Sequence, residues 1–177
     1  MAIIHKASII PTKGEILERV LGGSVAVLGA YRFDDPDGEV GVEGFVVRRG
    51  TATQQVVLTY RSAPVEGAEG DLVSTMEHST LGRRWVYDGR ADPVALACFR
   101  RALLGEQEQA VEEIWDDGRV VTTREPTARL TRVAGHLRDA NAVVVIETDL
   151  EVAVEHVLGP HLRAEWDGGG ALVARLG

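Results

Sequence analysis

The feature that most constrains this chain is a run of extended, β-branched segments separated by short turns. Residues 24–33 and 40–47 flank residues 34–38, whose sequence Asp-Asp-Pro-Asp-Gly is typical of a turn. A second turn at residues 49–50 leads into residues 55–60, where apolar and polar side chains again alternate. Three adjacent strands joined by short turns predict an antiparallel meander.

Two segments carry helix signals. Thr12 and Glu15 form a capping-box pattern ahead of apolar residues at helical spacing, and Gly22 follows that run. Asp92 followed by Pro93 starts a second helix, predicted over residues 92–104. Its predicted apolar face contains Val94, Ala97, Cys98, Arg101 and Leu104, with Leu96, Phe99 and Leu103 beside it.

The rest of the sequence is rich in strand signals. Three segments each fit either a strand or a short helix: residues 3–10, 72–76 and 151–158. The pattern predicts an α+β fold, with a predominantly antiparallel sheet and two or more short helices packed on it. Further predicted strands are 84–87, 111–115 and 119–123 around an Asp-Asp-Gly turn, 128–133, 142–147, and 162–166 and 171–176 around Asp-Gly-Gly-Gly.

Composition narrows the class of protein. The 27 acidic residues outnumber the 19 basic ones, and the formal charge of −8 argues against a nucleic-acid binder or a partner on an anionic membrane. The single cysteine, Cys98, cannot form an internal disulfide, which favours a reducing compartment. The apolar run at residues 142–146 is far below the roughly 20 residues that a membrane helix needs.

The amino terminus and the basic residues are consistent with a cytoplasmic bacterial protein. The amino terminus lacks the long apolar region of a secretory signal. Lys6 and Lys13 are the only lysines, and all other basic residues are arginines, a bias typical of a G+C-rich bacterial genome. We therefore expect a cytoplasmic location, with neither a membrane nor a nucleic acid as partner.

The common catalytic and cofactor signatures are missing from the sequence. It contains no phosphate-binding P-loop, no G-x-G-x-x-G, no G-x-S-x-G and no H-E-x-x-H. One cysteine cannot form a Cys-x-x-Cys metal or redox site. We expect no cofactor, no metal and no catalytic site of a familiar type.

Glu77 and His78 are the candidate catalytic residues. They precede two hydroxyl residues, so that an acid, a base and two nucleophiles stand together. Neighbours in sequence do not converge on one point, so catalysis here would need partners from distant segments. The alternative interpretation is that His78 stabilises the turn before Gly82.

Two groups of residues could suggest a metal. His156 and His161 stand five apart, which is not the spacing that places two ligands on one helix face, and the surface or loop interpretation is favoured. The second group is acidic and consists of Asp34, Asp35, Asp37 and Glu39. It lacks the glutamate that a calcium loop needs at its twelfth position, so a hairpin turn is favoured.

Arginines cluster in one region of this acidic chain. Arg83, Arg84 and Arg90 are followed by Arg100 and Arg101 on the second helix. Such a patch could bind phosphate or an acidic partner. Solvated ion pairs are the alternative.

Several motifs together resemble a known family. They are residues 31–43 (YRFDDPDGEVGVE), 57–61 (VLTYR), 76–82 (MEHSTLG) and 84–88 (RWVYD), the last followed by Ala-Asp-Pro at 91–93. This series resembles the maltokinase N-terminal cap-like family over about residues 1–105. The resemblance implies a sheet packed by helices and a link to trehalose, maltose and glycogen metabolism.

The kinase lobes that follow the cap in maltokinases have no counterpart in the sequence. His136 and Asp139 do not have the spacing of the kinase catalytic loop, and residues 106–177 are too few for two lobes. No kinase catalytic residue is therefore carried over. Residues 106–177 are predicted to be a strand-rich extension, part of the same domain as residues 1–105.

Three functions remain open from the sequence. The first is a non-catalytic, stand-alone cap-like protein that acts through a protein partner or a sugar. The second is a structural subunit that forms a homo-oligomer, and the third is a small enzyme with a site around Glu77 and His78. The ligand-binding candidates are Arg83, Arg84, Trp85 and Tyr87, and Trp115 and Trp166 are further aromatic candidates for sugar stacking.

Overall fold

The computed structural model describes residues 2–5, 8–116, 119–136, 139, 141–151 and 157–177. Within these ranges, the side chains of residues 2–5, 112, 114–116 and 119–121 are not described.

The described residues form two helices and three sheets, which confirms the predicted sheet-dominated α+β fold. The helices are α1 (Lys13–Leu21) and α2 (Pro93–Leu104). The strands are β1 (Ala2–His5), β2 (Ile9–Ile10), β3 (Ala26–Asp34), β4 (Gly41–Arg49), β5 (Ala52–Arg61), β6 (Leu72–His78), β7 (Gly82–Asp88), β8 (Glu112–Asp116), β9 (Arg119–Arg124), β10 (Ala128–Val133), β11 (Val144–Ile146), β12 (His161–Trp166) and β13 (Gly169–Leu176).

The largest sheet has six strands in the order β2-β6-β7-β5-β4-β3. Strands β3, β4 and β5 pair antiparallel in sequence order, so the predicted meander is confirmed. Residues 72–76, which fitted either a helix or a strand, belong to β6, and β6 forms a hairpin with β7.

Strand β4 is buried on both faces of this sheet. Phe45 and Val47 face α1, in a core that also contains Ile16 and Leu17. Val42 and Val46 point the other way, into a larger core that includes much of α2. The six-stranded sheet therefore separates two hydrophobic cores.

Helix α1 is fixed at its start by polar contacts. The Thr12 side chain accepts a hydrogen bond from the Glu15 backbone N–H, and the Glu15 carboxylate accepts one from Thr12 N at 2.7 Å, so the predicted capping box is confirmed. One residue on, Lys13 Nζ lies 2.6 Å from the carboxylate of Glu43, which is buried in the sheet. These contacts set the position of α1 over the sheet.

Helix α2 begins as predicted, but its buried stripe differs from the prediction. Asp92 is the N-cap, and its carboxylate accepts a hydrogen bond from Val94 N at 2.9 Å. The predicted apolar face was wrong by part of a helical turn. Arg101, which was placed on that face, lies at the margin of the buried stripe and donates a hydrogen bond to Gln107. The buried residues are Ala95, Cys98, Phe99, Ala102 and Leu103.

A four-stranded sheet in the order β10-β12-β13-β11 covers the α2 side of the main sheet. Strands β12 and β13 form the predicted hairpin, but its turn is two residues shorter than predicted. Gly169 and Gly170 pair within β13, and Gly168 takes a positive φ of 84° at the turn. A two-residue turn suffices because glycine adopts this conformation without steric cost.

The third sheet has the order β1-β8-β9. Strands β8 and β9 pair antiparallel, which confirms the predicted pairing of these segments, and β1 pairs parallel with β8. Residues 3–10 thus contribute strands to two different sheets. Most of residues 151–158, the other ambiguous segment, lies outside the described residues.

Side chains from residues 1–105 and from residues 106–177 share the larger core. Tyr31, Val57 and Phe99 from the first part pack with Leu162 and Val173 from the second. Among the described residues, no helix is long and apolar enough to cross a membrane.

Gln55 joins the main sheet to the four-stranded sheet. Its amide nitrogen donates hydrogen bonds to the carbonyls of Glu147 and Val173 at 2.7 and 2.9 Å, and its amide oxygen accepts one from the Tyr31 hydroxyl at 2.6 Å. The Tyr31 ring occupies the space above Gly44, where a Cβ would overlap it. The Tyr31 hydroxyl, the Gln55 side-chain amide and the carbonyls of Glu147 and Val173 therefore all have hydrogen-bond partners at this junction.

We predict that Gln55→Ala lowers the free energy of unfolding by about 3 kcal/mol, because it leaves the buried Tyr31 hydroxyl and the Glu147 carbonyl without this partner. It also removes one of the two hydrogen bonds to the Val173 carbonyl, which keeps the bond from Glu147 N. Urea denaturation at neutral pH measures the loss. The matched control is Gln54→Ala on the neighbouring residue, whose amide oxygen has no hydrogen-bond partner among the described residues. Equal losses in the two variants would contradict the assigned role of Gln55.

Candidate functional site

The side of the main sheet opposite α1 is covered over β3, β4 and β5, while β2, β6 and the first residues of β7 are partly open to solvent on that side. Residues directly opposite one another on neighbouring strands share a face. The pairs Ile10–Glu77, Glu77–Arg83 and Thr75–Trp85 therefore line one surface. We call it the open face; it consists of Ile10, Leu72, Thr75, Glu77, Arg83 and Trp85.

The open face exposes apolar side chains. Ile10 is 70% exposed and Leu72 is 38% exposed, while Trp85 is half-buried. Ile10 and Leu72 lie towards opposite ends of this surface, with Trp85 between them, because Ile10 pairs with Glu77 and Leu72 pairs with Tyr87.

An ion pair stands among these apolar residues. Arg83 Nε lies 2.6 Å from Glu77 Oε1, and both side chains are more than half exposed. An exposed pair of this kind contributes little to folding stability. Its two charges are therefore available to a ligand or partner on this face.

Glu77 and His78, the candidate catalytic residues, point to opposite faces of β6. His78 Nδ1 accepts hydrogen bonds from the backbone N–H groups of Thr80 and Leu81, at 3.2 and 3.1 Å. In this geometry the imidazole holds the β6–β7 turn. The structure does not bring the acid and the imidazole together.

The ligand-binding candidates divide between the two faces of β7. Arg83 and Trp85 lie on the open face, and Tyr87 lies on the same side but is buried, with its hydroxyl accepting a hydrogen bond from Val65 N at 2.9 Å. Arg84 points to the α1 side, where it donates a hydrogen bond to the Leu81 carbonyl. Glu77, Arg83 and Trp85 are thus the candidates that share one surface.

Asp92 organises the boundary between the open face and the larger core. Its carboxylate accepts hydrogen bonds from Arg61 Nε and Nη2, at 2.8 and 2.6 Å, and from Thr59 Oγ1 at 2.7 Å. Burial raises the pKa of this carboxyl, but the bonds from Arg61, Thr59 and Val94 outweigh it, so the pKa is lowered overall. Asp92 therefore stays ionised and holds Arg61 beside Trp85.

The remaining arginines of the predicted patch bind separate partners. Arg90 pairs with Asp88 at 2.6 Å, Arg100 donates a hydrogen bond to the Ala142 carbonyl, and Arg101 contacts Gln107.

The other sequence candidates are Trp166, His161, His156 and Trp115. Trp166 packs against the larger core. His161 Nδ1 lies 3.0 Å from the Gly159 carbonyl, while His156 and the side chain of Trp115 lie outside the described residues.

The acidic segment at residues 34–39 forms a turn. The Asp35 carboxylate accepts backbone hydrogen bonds from Asp37 and Val40, and Gly38 has a positive φ of 74°. No group of three or more potential metal ligands occurs among the described residues.

The family comparison matches the part of the chain that carries most of the open face. Residues 13–92 match the family model of the maltokinase N-terminal cap domain. This segment is similar to that family. The match is shorter than the 1–105 expected from the motifs and covers somewhat less than half of the chain, and no curated protein or solved structure matches the sequence.

Some residues of the open face could not be identified from the cap-family motifs. Ile10 and Leu72 became part of the site through the pairing of β2 and β7 with β6. The signal available in the sequence was the alternation within 72–78, but its register was needed to show which residues share a surface.

We predict that Asp92→Ala destabilises the protein by about 3 kcal/mol at neutral pH, since it leaves the Arg61 guanidinium without its buried partner and removes the α2 N-cap. The folded-state pKa of Asp92 is lowered, so this stabilisation is complete above the unfolded-state pKa and is lost as the pH falls through the folded-state value.

Denaturation of the wild type and the variant as a function of pH measures this difference. The two curves should converge at acidic pH. Asp88→Ala, which removes an exposed arginine pair, is the control and should cost far less. A difference that stays constant into the acid range would contradict an ionised Asp92.

Proposed function

We propose that this chain is a non-catalytic cap-type protein with an accessory or regulatory role in α-glucan metabolism, the metabolism of trehalose, maltose and glycogen. It would provide a binding surface for a protein partner or a sugar. The support for the metabolic link is the match of residues 13–92 to the maltokinase cap family. In this proposal the protein acts in the bacterial cytoplasm.

The observation that carries the proposal is the open face. Every residue of that face except Ile10 falls inside the family match. The face combines a half-buried indole, exposed aliphatic carbon and one charge of each sign. These groups suit binding by contact and hydrogen bonding, and the divergence of Glu77 and His78 supports a non-catalytic role.

Two kinds of occupant fit this surface to different degrees. A sugar would stack on Trp85 and bond to Glu77 and Arg83, as sugar rings do on aromatic faces flanked by polar groups. A protein would in addition cover Ile10 and Leu72, whose exposed aliphatic carbon a single sugar ring leaves in water. The aliphatic exposure favours a protein surface.

We predict that Trp85→Ala weakens binding of any ligand of the open face at least tenfold, because it removes the largest contact area of the surface. Maltose, trehalose, maltooligosaccharides, glycogen, sugar phosphates and Mg-ATP are titrated in a thermal-shift assay. A ligand at 100 times its Kd adds about 2.7 kcal/mol to the stability of the folded state. A purified maltokinase, titrated by calorimetry, tests the protein arm.

The matched control is Leu81→Ala, which removes an exposed apolar side chain from the neighbouring turn. Binding of a sugar or the kinase that is lost in Trp85→Ala and kept in Leu81→Ala supports the proposal. Stabilisation by Mg-ATP together with phosphate release would contradict it in favour of an enzyme. Absence of binding to every sugar and to the kinase would also contradict it.

A further inference from the structure

We propose that the open face is covered by the open face of a second copy of this chain, related by a two-fold axis, with Glu77 of each copy facing Arg83 of the other. This inference depends on the surface alone and not on the link to α-glucans, and a sugar or kinase bound to the open face would compete with the second copy.

The first step is the uneven cover of the main sheet. One side receives α1, and the other receives α2 and the four-stranded sheet over β3 to β5. Over β2, β6 and β7 that second side keeps Ile10, Leu72 and Trp85 in partial contact with water. Burial of these side chains against another apolar surface would be favourable.

The second step is charge. Each copy carries a formal charge of −8, so two copies repel one another through most of their surfaces. The open face has one exposed acid and one exposed base, and so it is balanced. In a two-fold interface each contact occurs twice in reciprocal form, so Glu77 and Arg83 can exchange partners between copies with no loss of an ion pair.

The third step explains why the second copy meets the face and not an edge of the sheet. The β3 edge is occupied, because the Arg32 carbonyl accepts a hydrogen bond from Ala110 N and Ala30 N donates one to Thr127 Oγ1. At the other edge, the two residues of β2 pair with the end of β6. The rest of β6 has a register shift between Leu72 and Ser74, and such bulges hinder strand addition. The face offers the more regular surface.

The test measures self-association of the full chain by analytical ultracentrifugation across a concentration series. The wild type is expected to dimerise. The single variants Glu77→Arg and Arg83→Glu each place two like charges on the face and should raise the dimer Kd at least tenfold. An equimolar mixture of the two variants should recover dimers, since each reciprocal contact again joins an acid to a base.

Two further variants keep the test independent of folding. Arg90→Glu makes the same charge change as Arg83→Glu at an exposed pair off the open face, and it should leave the dimer Kd unchanged. Ile10→Ser alters a side chain that is 70% exposed, so folding should be retained while dimerisation weakens. Circular dichroism checks that every variant is folded.

A wild type that stays monomeric at all concentrations would overturn the inference. So would a dimer that resists the Ile10 and Arg83 changes, or variants that fail to recover dimers when mixed. A monomer whose sugar or kinase binding depends on Trp85 would remove this inference and leave the proposed function standing. A dimer that binds no sugar or kinase would support this inference and contradict the proposed function.

Discussion

The burial of β4 on both faces is the constraint from which the rest of the architecture follows. A strand with apolar side chains on both sides needs a layer above and a layer below. Helix α1 supplies one layer, and α2 with the four-stranded sheet supplies the other. The buried Glu43, on the α1 side of the same strand, is neutralised by Lys13 and thereby ties α1 to the centre of the sheet.

The two layers do not extend equally far. Helix α2 starts at Asp92, whose contacts with Arg61 and Thr59 fix its first turn over β5. From that point the helix runs into the larger core, and the β6–β7 hairpin lies beyond its cover. The open face thus arises from where one helix begins, and the matched family segment ends at the same residue.

Local signals were sufficient to predict the helix ends and most strands. Thr12, Glu15 and Asp92 act through bonds to residues two or three positions away, so their roles can be read from sequence. Contacts such as those of Gln55 with Val173 join distant segments, and no local pattern specifies them. The candidate residues were predicted as one group, but the two-residue period of β7 separates Arg84 from Arg83 and Trp85.

Gly44 shows how far the influence of one missing side chain reaches. The ring of Tyr31 lies in the volume that a Cβ at this position would take, and the Tyr31 hydroxyl completes the bonding of Gln55. The junction between the two sheets therefore depends on the absence of a Cβ atom at residue 44. During evolutionary drift, residues 31, 44 and 55 would have to change together, and a chain that lost the glycine first would lose the junction with it.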